Sequence, residues 1–578
     1  MRALVLAALA AAVLAGRARA NDDPRTLTYD LGTEVVSLDP DWAYDAASQF
    51  AVQQIYEPLI SFDGSATDRF VPRLASVVPT VENGFLSRDG LTYRFPLRTG
   101  VRFHDGAEMT PEDARYSILR FLLMDRAGGP SPLLLEPLLG RSTVAGPDGR
   151  PDPAAYDEAA RAVSIEGGAL VLRLKKPFAP LLAVLADYAP VVSRAFVAAH
   201  GGWDGAEADW ARYWNPSRGR AALFGAADGT GPFKLVAWDH GAKALLLARN
   251  DAYWRSPAAL QTVRVETVED PEARRARLAN GDADVAQADA RSAASFRGLP
   301  GVVLDESALL ETDDVILFNL DAAAGDNPWL GSGRLDGLGV PPDLFSDPAV
   351  RRAFACAFDA DALLRDGFGG RGTRSYGPIP PSLLGGGPPR SAPVCAPGAA
   401  EKALRAARGG RLWREGFLLP MAYATGFPDR AAACRALQTG LAALNPKFRV
   451  DCRGVPQSRL LADLQARRLS AFVASWVLDY PDPHAAVEPF LGSDGFFAKP
   501  LGYSNPRADA LIAKAAAETE PSKRRALYEE LQSLAVRDAA QIYTIRASGV
   551  LARRASVRGW VFNPMLPYGS LYEVSKLP

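Results

Sequence analysis

Histidine and cysteine are the scarcest residues of this chain, four of each in 578 positions. The histidines, His104, His200, His240 and His484, are scattered and have no HExxH or HxH spacing, so no zinc-hydrolase pattern is present. Cys356, Cys395, Cys434 and Cys452 have no CxxC or zinc-ribbon spacing. GxSxG, Walker A and a GxGxxG opening a helix after a strand are all missing. Gly367-Phe-Gly-Gly370 and Gly385-Gly-Gly387 read as loops. Charge of one sign is missing too: 65 Lys and Arg against 66 Asp and Glu leave a net −1. Nothing in that balance points to nucleic acid or to a polybasic membrane anchor. These absences argue against an enzyme, a metal centre and a bound cofactor.

At the N-terminus, Arg2 supplies a positive start, Ala3–Leu14 an apolar run and Ala18-Arg19-Ala20 an A-x-A-like cleavage site, the pattern of a signal peptide over 1–20. The run is short for a membrane span and no comparable one follows. Residue 21 is Asn, not Cys, so lipid attachment is not indicated. A soluble exported protein is expected, in a compartment where cysteines can pair. Of three connectivities, Cys434–Cys452 with Cys356–Cys395 closes the shortest loops and is favoured. The length predicts two or three domains.

Thr26–Tyr29 reads as a strand, Glu34–Pro40 as extended, and Ala46–Tyr56 as a helix. Leu91–Leu97 alternates like a strand after the Asp89-Gly90 turn signal. Thr110-Pro111-Glu112-Asp113 is a helix start, with Thr as N-cap and Pro at the first position. Val263–Val268 followed by Pro271–Ala279 repeats the strand-helix alternation of an α/β fold. The Gly/Pro-rich stretches Gly128–Pro153, Asp321–Pro342 and Gly385–Pro397 read as loops.

Phe472–Pro483 organises the rest. An apolar run typical of a buried strand ends at Asp479-Tyr480-Pro481-Asp482-Pro483, where two prolines cannot continue a central strand. An acidic, aromatic loop then lies beyond a strand's carboxyl end, where open α/β sheets hold ligands. An ordinary turn with solvated aspartates is the competing reading.

The motifs FVPRLA (70–75), DGLTYRFPLRTGVRFHDG (89–106) and TPEDARYS (110–117), then GTGPF (229–233), RNDAYW (249–254), DPAVRRAF (347–354) and DYPDP (479–483), occur in that order. Together they resemble family 5 of the bacterial extracellular solute-binding proteins, the peptide- and nickel-binding receptors of ABC importers. The resemblance implies a two-lobed α/β fold with crossing hinge segments and an extra inserted subdomain. It assigns 21–65, 216–308 and 547–578 to lobe I, 66–215 to the insertion and 309–546 to lobe II, with chain crossings near Leu309–Phe318 and Tyr543–Val557. It implies a monomeric periplasmic receptor that hands peptides or amino-bearing solutes to a permease. By position, Asp479 falls on the aspartate that holds the ligand's ammonium group, and Trp476 on a cleft tryptophan. Tyr480, Tyr423 and Tyr376 are further contacts, and Glu34 to Val36 fall on a segment that pairs with the ligand backbone. His104 belongs to a structural turn. The dipeptide binders' carboxylate-anchoring arginine is missing from Pro420–Pro428, and Arg371, Arg374 or Arg430 are the nearest substitutes. Alternatives are a nickel chelate, for which His484 is the one nearby histidine, an opine-like solute, a peptide-holding chaperone or chemosensory subunit, and a secreted hydrolase.

Overall fold

The strand expected at Thr26 runs to Leu31 and forms the middle of a seven-stranded sheet. The computed structural model describes residues 23–288, 292–308, 314–385, 395–396, 398–566 and 568–577. The signal segment 1–20, the first half of the Leu309–Phe318 crossing and most of Gly385–Pro397 lie outside them. The chain divides into two compact units, one of residues 1–307 with 549–578, the other of Ala308–Ser548.

In the first unit, Thr26–Leu31 lies parallel to Thr262–Thr267 on one side and Val285–Ala288 on the other. Ser548–Arg554 joins antiparallel to Val285–Ala288. A separate three-stranded sheet, Thr92–Pro96, Ala169–Arg173 and Val163–Glu166, packs with helix Pro111–Met124. That helix begins as expected: Thr110 and Asp113 form a reciprocal capping box with Pro111 following.

His104 has the structural role expected of it. Its Nδ1 accepts from Gly229 N–H (3.3 Å), so Nε2 carries the proton and donates to the Gly231 carbonyl (3.0 Å). Gly229 and Gly231 must be glycine, because a Cβ there would lie 2.1 and 2.5 Å from the Ile55 carbonyl oxygen. The FHDG turn, the GTG motif and the end of helix Ala46–Ile55 are therefore one joint.

The second unit holds a five-stranded sheet in the order Phe448–Val455, Phe417–Ala424, Ala471–Ala474, Val315–Phe318, Gln541–Tyr543. The first three strands are parallel, and Val315–Phe318 is antiparallel to both its neighbours. Helices Pro348–Ala357 and Pro428–Leu444 bury Phe354, Leu437 and Leu441 in the main core of this unit. Disulfides join Cys356 to Cys395 and Cys434 to Cys452, the favoured pairing.

Three local expectations are corrected. Gly128–Pro153 is not all loop: Pro132–Leu139 is a helix. Leu134, Leu135, Leu138 and Leu139 are buried there. At roughly 1.5–3 kcal/mol each, they outweigh the cost of about 3 kcal/mol for Pro137 inside the helix. Gly367 is not in a loop but in the last turn of helix Ala360–Phe368, which Gly369 ends at φ 58°. The strand expected to run up to Asp479 stops at Ala474, five residues earlier.

Candidate functional site

The carboxyl edge of the second unit's sheet gathers most of the residues singled out above. Register places Tyr423 opposite Val473 and Gly454, and Val315 opposite Ala474 and Tyr543. Residues that follow Ala424 and Ala474, and those that precede Val315, therefore meet at one end of the sheet.

Because the strand stops at Ala474, Trp476 leaves the sheet and rests half-buried against Phe496 and Phe497, with ring centroids 5.4 and 5.8 Å away. Val477 is 64% exposed and Phe496 41%. Phe427, 42% exposed, lies on the loop after the neighbouring strand. Of these, Phe496 is joined to Trp476 and Phe497 in one aromatic group, and contiguous exposed apolar surface marks interaction sites. Phe427 and Phe496 were not anticipated, since an aromatic in a chain with 25 phenylalanines carries no local mark of its exposure, and Val477 read as part of the buried strand.

The two aspartates of the DYPDP loop have different environments. Asp482 caps helix Pro483–Leu491, accepting from His484 N–H at 2.8 Å. Its carboxylate also takes two bonds from the Arg524 guanidinium, at 2.6 and 2.7 Å. The fold has used it. Asp479 is half-buried at the start of the loop, beside the apolar rim.

Tyr480 points inward. It is 5% exposed, its hydroxyl is 2.9 Å from His484 Nδ1, and burial raises its pKa well above the ordinary tyrosine value. Burial also pushes His484 down to about 4, so the ring is neutral at pH 7. With Nδ1 facing Tyr480, His484 is part of the wall that supports the loop. Among the described residues, no group of three or more His, Cys, Asp or Glu is arranged to hold a metal.

Beneath this rim is a charged cluster. Arg430, in the first turn of helix Pro428–Leu444, donates to Asp314 Oδ1 (3.2 Å) and to Ser475 Oγ (2.8 Å), and stacks on Phe427 at 3.8 Å. Burial raises Asp314 well above the carboxylate range, the neighbouring Asp429 adds to this, and Arg430 opposes it. Arg430 ties the strand ends together and is committed to that work. Tyr423 is half-buried, with its ring against Gly454.

Tyr376 is not part of this group. It lies under the Arg374 guanidinium (5.3 Å) and lines a cavity beside the edge strand Gln541–Tyr543. Glu34 and Val36 belong to the first unit, on an extended stretch with no ladder partner among the described residues. Glu34 is 4.0 Å from Lys243 Nζ, and Val36 N–H already donates to Ser48 Oγ at 2.9 Å.

The family model for bacterial extracellular solute-binding proteins, family 5 (middle region), matches residues 69–498. The chain belongs to this family. It is 23% identical to the probable D,D-dipeptide-binding periplasmic protein DdpA of Escherichia coli, over 83% of this chain and 81% of that protein. It is 23% identical to the glutathione-binding protein GsiB of Pectobacterium atrosepticum, over 97% of this chain and 96% of that one. Among solved structures, it resembles the ABC transporter-associated periplasmic binding protein DppA from Helicobacter pylori in complex with the peptide STSA. The TM-score is 0.72 at 20% identity, covering 95% of this chain and 98% of that one. Among the described residues, no helix is long and apolar enough to cross a membrane.

Proposed function

We propose that this protein is the periplasmic receptor of an ABC importer, exported by its segment 1–20. It captures oligopeptides or similar amino-bearing solutes and delivers them, as a monomer, to a permease, catalysing no reaction itself. The observation that carries this reading is the aromatic group of Trp476, Phe496 and Phe497 at the carboxyl edge of the sheet, with the half-buried Asp479 three residues beyond Trp476 at the start of the DYPDP loop. An ammonium group held there makes a charge-assisted pair strengthened by the surrounding apolar surface. The names of the relatives, binders of a D,D-dipeptide and of glutathione, support a peptide-like ligand.

Trp476 and Tyr423 are the proposed side-chain contacts, with Tyr480 holding the loop from behind. Glu34 to Val36 would offer backbone from lobe I, through groups other than the Val36 N–H. The proposed lobes are 21–65, 216–308 and 547–578 against 309–546, with 66–215 inserted. The crossings near 309–318 and 543–557 serve as hinges whose closed state the ligand stabilises. Arg430, the arginine that follows Pro420–Pro428 in the chain, is tied to Asp314 and Ser475, and Arg453, opposite Ala422 in the neighbouring strand, pairs with Asp451. This favours longer peptides gripped through backbone over a dipeptide held by its carboxylate.

Calorimetry with a mixed tetra- and pentapeptide pool tests the reading. Asp479→Ala should weaken binding by about 10- to 100-fold without moving the melting temperature. N-acetylated peptides should bind the wild type as poorly as free peptides bind the variant. Equal affinity of variant and wild type would remove Asp479 from the site.

A further inference from the structure

The cavity that holds Tyr376 has a volume of about 490 Å³ and lies wholly within the second unit, along the free edge of its sheet. Its walls are apolar where helix Pro348–Ala357 faces the strand, and the Cys356–Cys395 disulfide forms part of them. Among the described residues its charges are of one sign: Arg352, Arg374 and Arg537 line it, and no Asp or Glu does. Arg352 uses one nitrogen on the Arg537 carbonyl, at 3.1 Å. Arg374 and Arg537 have no carboxylate partner among the described residues. The nearest acid in sequence, Asp538, is turned away, accepting from Tyr503 and Asn505 at 2.7 and 2.8 Å.

A second observation points to a ligand. Gln541 is 4% exposed, lines the same cavity, and its buried amide nitrogen meets no acceptor among the described residues. A buried donor without an acceptor is unfavourable, and three exposed guanidinium groups at the mouth of one cavity make it a place of positive potential. One anionic group would answer both: its oxygens would accept from the guanidinium forks and from the Gln541 amide.

We infer that the second unit carries a further ligand site at this cavity, for a small molecule with an anionic head, carboxylate or phosphate, and a short apolar body. The site is distinct from the Asp479 rim, whose chemistry is of the opposite sign. It does not depend on the peptide reading.

Saturation-transfer NMR and calorimetry with hexanoate, hexyl phosphate and hexanol on the full chain test it. At least one of the two anions should bind tenfold or more tighter than hexanol. Hexanoate alone would mark a carboxylate ligand, and hexyl phosphate alone a phosphate ester. Arg374→Gln with Arg537→Gln changes two exposed side chains, so its melting temperature should match wild type while anion affinity falls at least tenfold. The single change Arg374→Gln should give a smaller loss in the same direction. Asp479→Ala should leave anion binding intact. The inference is overturned if both anions bind no better than hexanol, if the double variant binds like wild type, or if Asp479→Ala removes the binding.

Discussion

The two units bury their polar groups in different places. In the first, charged networks sit deep in the structure. Arg120, 1% exposed, binds Asp39 and Asp41. Glu57 accepts from Tyr253 (2.6 Å), Trp254 (2.8 Å) and Thr230 (2.9 Å). Asp284 accepts from Thr28 N–H and pairs with Lys576. Each bond joins distant parts of the sequence, over 81 residues for Arg120–Asp39 and 197 for Glu57–Trp254. The second unit is one continuous stretch. Its core is apolar, with Phe318 stacked on Phe345 at 4.4 Å and Phe354 edge-on to both, and it is closed by two short-loop disulfides. Its buried ion pairs, Arg430–Asp314 and Arg524–Asp482, lie beyond the carboxyl end of its sheet. A unit assembled from separated pieces gains register from directional contacts, while a continuous one can rely on packing and confine its buried charges to one end of the sheet.

Breaking the first unit's fastening should produce the largest effect. Arg120→Met leaves two carboxylates buried without a cation, which costs roughly 3–5 kcal/mol. Hydrogen exchange should show lost protection in Thr26–Leu31 and helix Pro111–Met124, with the sheet of the second unit unchanged. Adding Asp39→Asn and Asp41→Asn should restore part of the loss. Uniform loss across both units would contradict the comparison.

The second unit should respond instead to reduction. The disulfides close loops of 18 and 39 residues. Chain entropy assigns about 3 kcal/mol to the shorter and roughly 0.7 kcal/mol more to the longer. Cys434→Ser with Cys452→Ser, and Cys356→Ser with Cys395→Ser, should each lower the unfolding free energy of Ala308–Ser548 in that order of size. Exchange in the first unit should not change. Equal destabilisation of both units would mean that they unfold as one.

What was legible in the sequence was what local chemistry decides. The Thr110 cap and the Val263–Val268 alternation depend on near neighbours, and the structural role of His104 on the turn motif that contains it, whereas its bonds to the GTG motif, 125 residues on, were not visible. The helix Pro132–Leu139 was hidden because two prolines and flanking glycines outweigh five leucines until one knows that four of them are buried. The end of the strand at Ala474 was hidden because Ser475-Trp476-Val477 still reads as β-prone, and only the aromatic pocket of Phe496 and Phe497 draws Trp476 off the sheet. At the site, the loop and its tryptophan were visible. The pairing of Asp482 with Arg524 was not, because the two are 42 residues apart. Arg430 was a plausible carboxylate anchor on spacing alone, and only the approach of Asp314, 116 residues away, shows that it is occupied.

The smallest expected effect is absent at neutral pH and appears only in acid, where it compares the units by one buried histidine each. Burial lowers His104 and His484 from 6.5 to about 4. Between those values the unfolded chain takes up a proton that the folded chain refuses, so stability falls as pH drops from 6.5 towards 4. Asp30 and Asp228 in the first unit act in the opposite sense: burial raises both to about 6, the folded state takes the proton first, and stability rises as pH falls from 6 towards 3.8. Asp314 plays that part in the second unit. Each histidine is thus partly offset in the total, and a substitution is needed to isolate it. His104→Gln and His484→Gln both lose a bond at pH 7 and should be less stable than wild type there. By pH 4.5 that gap should narrow by roughly 2 kcal/mol, because the variant has no imidazole to protonate on unfolding. Exchange-derived unfolding free energies for each unit at the two pH values provide the check. A gap that stays constant would mean that the rings already titrate near 6.5 in the folded chain, and that neither is as enclosed as its contacts with Gly231 and Tyr480 require.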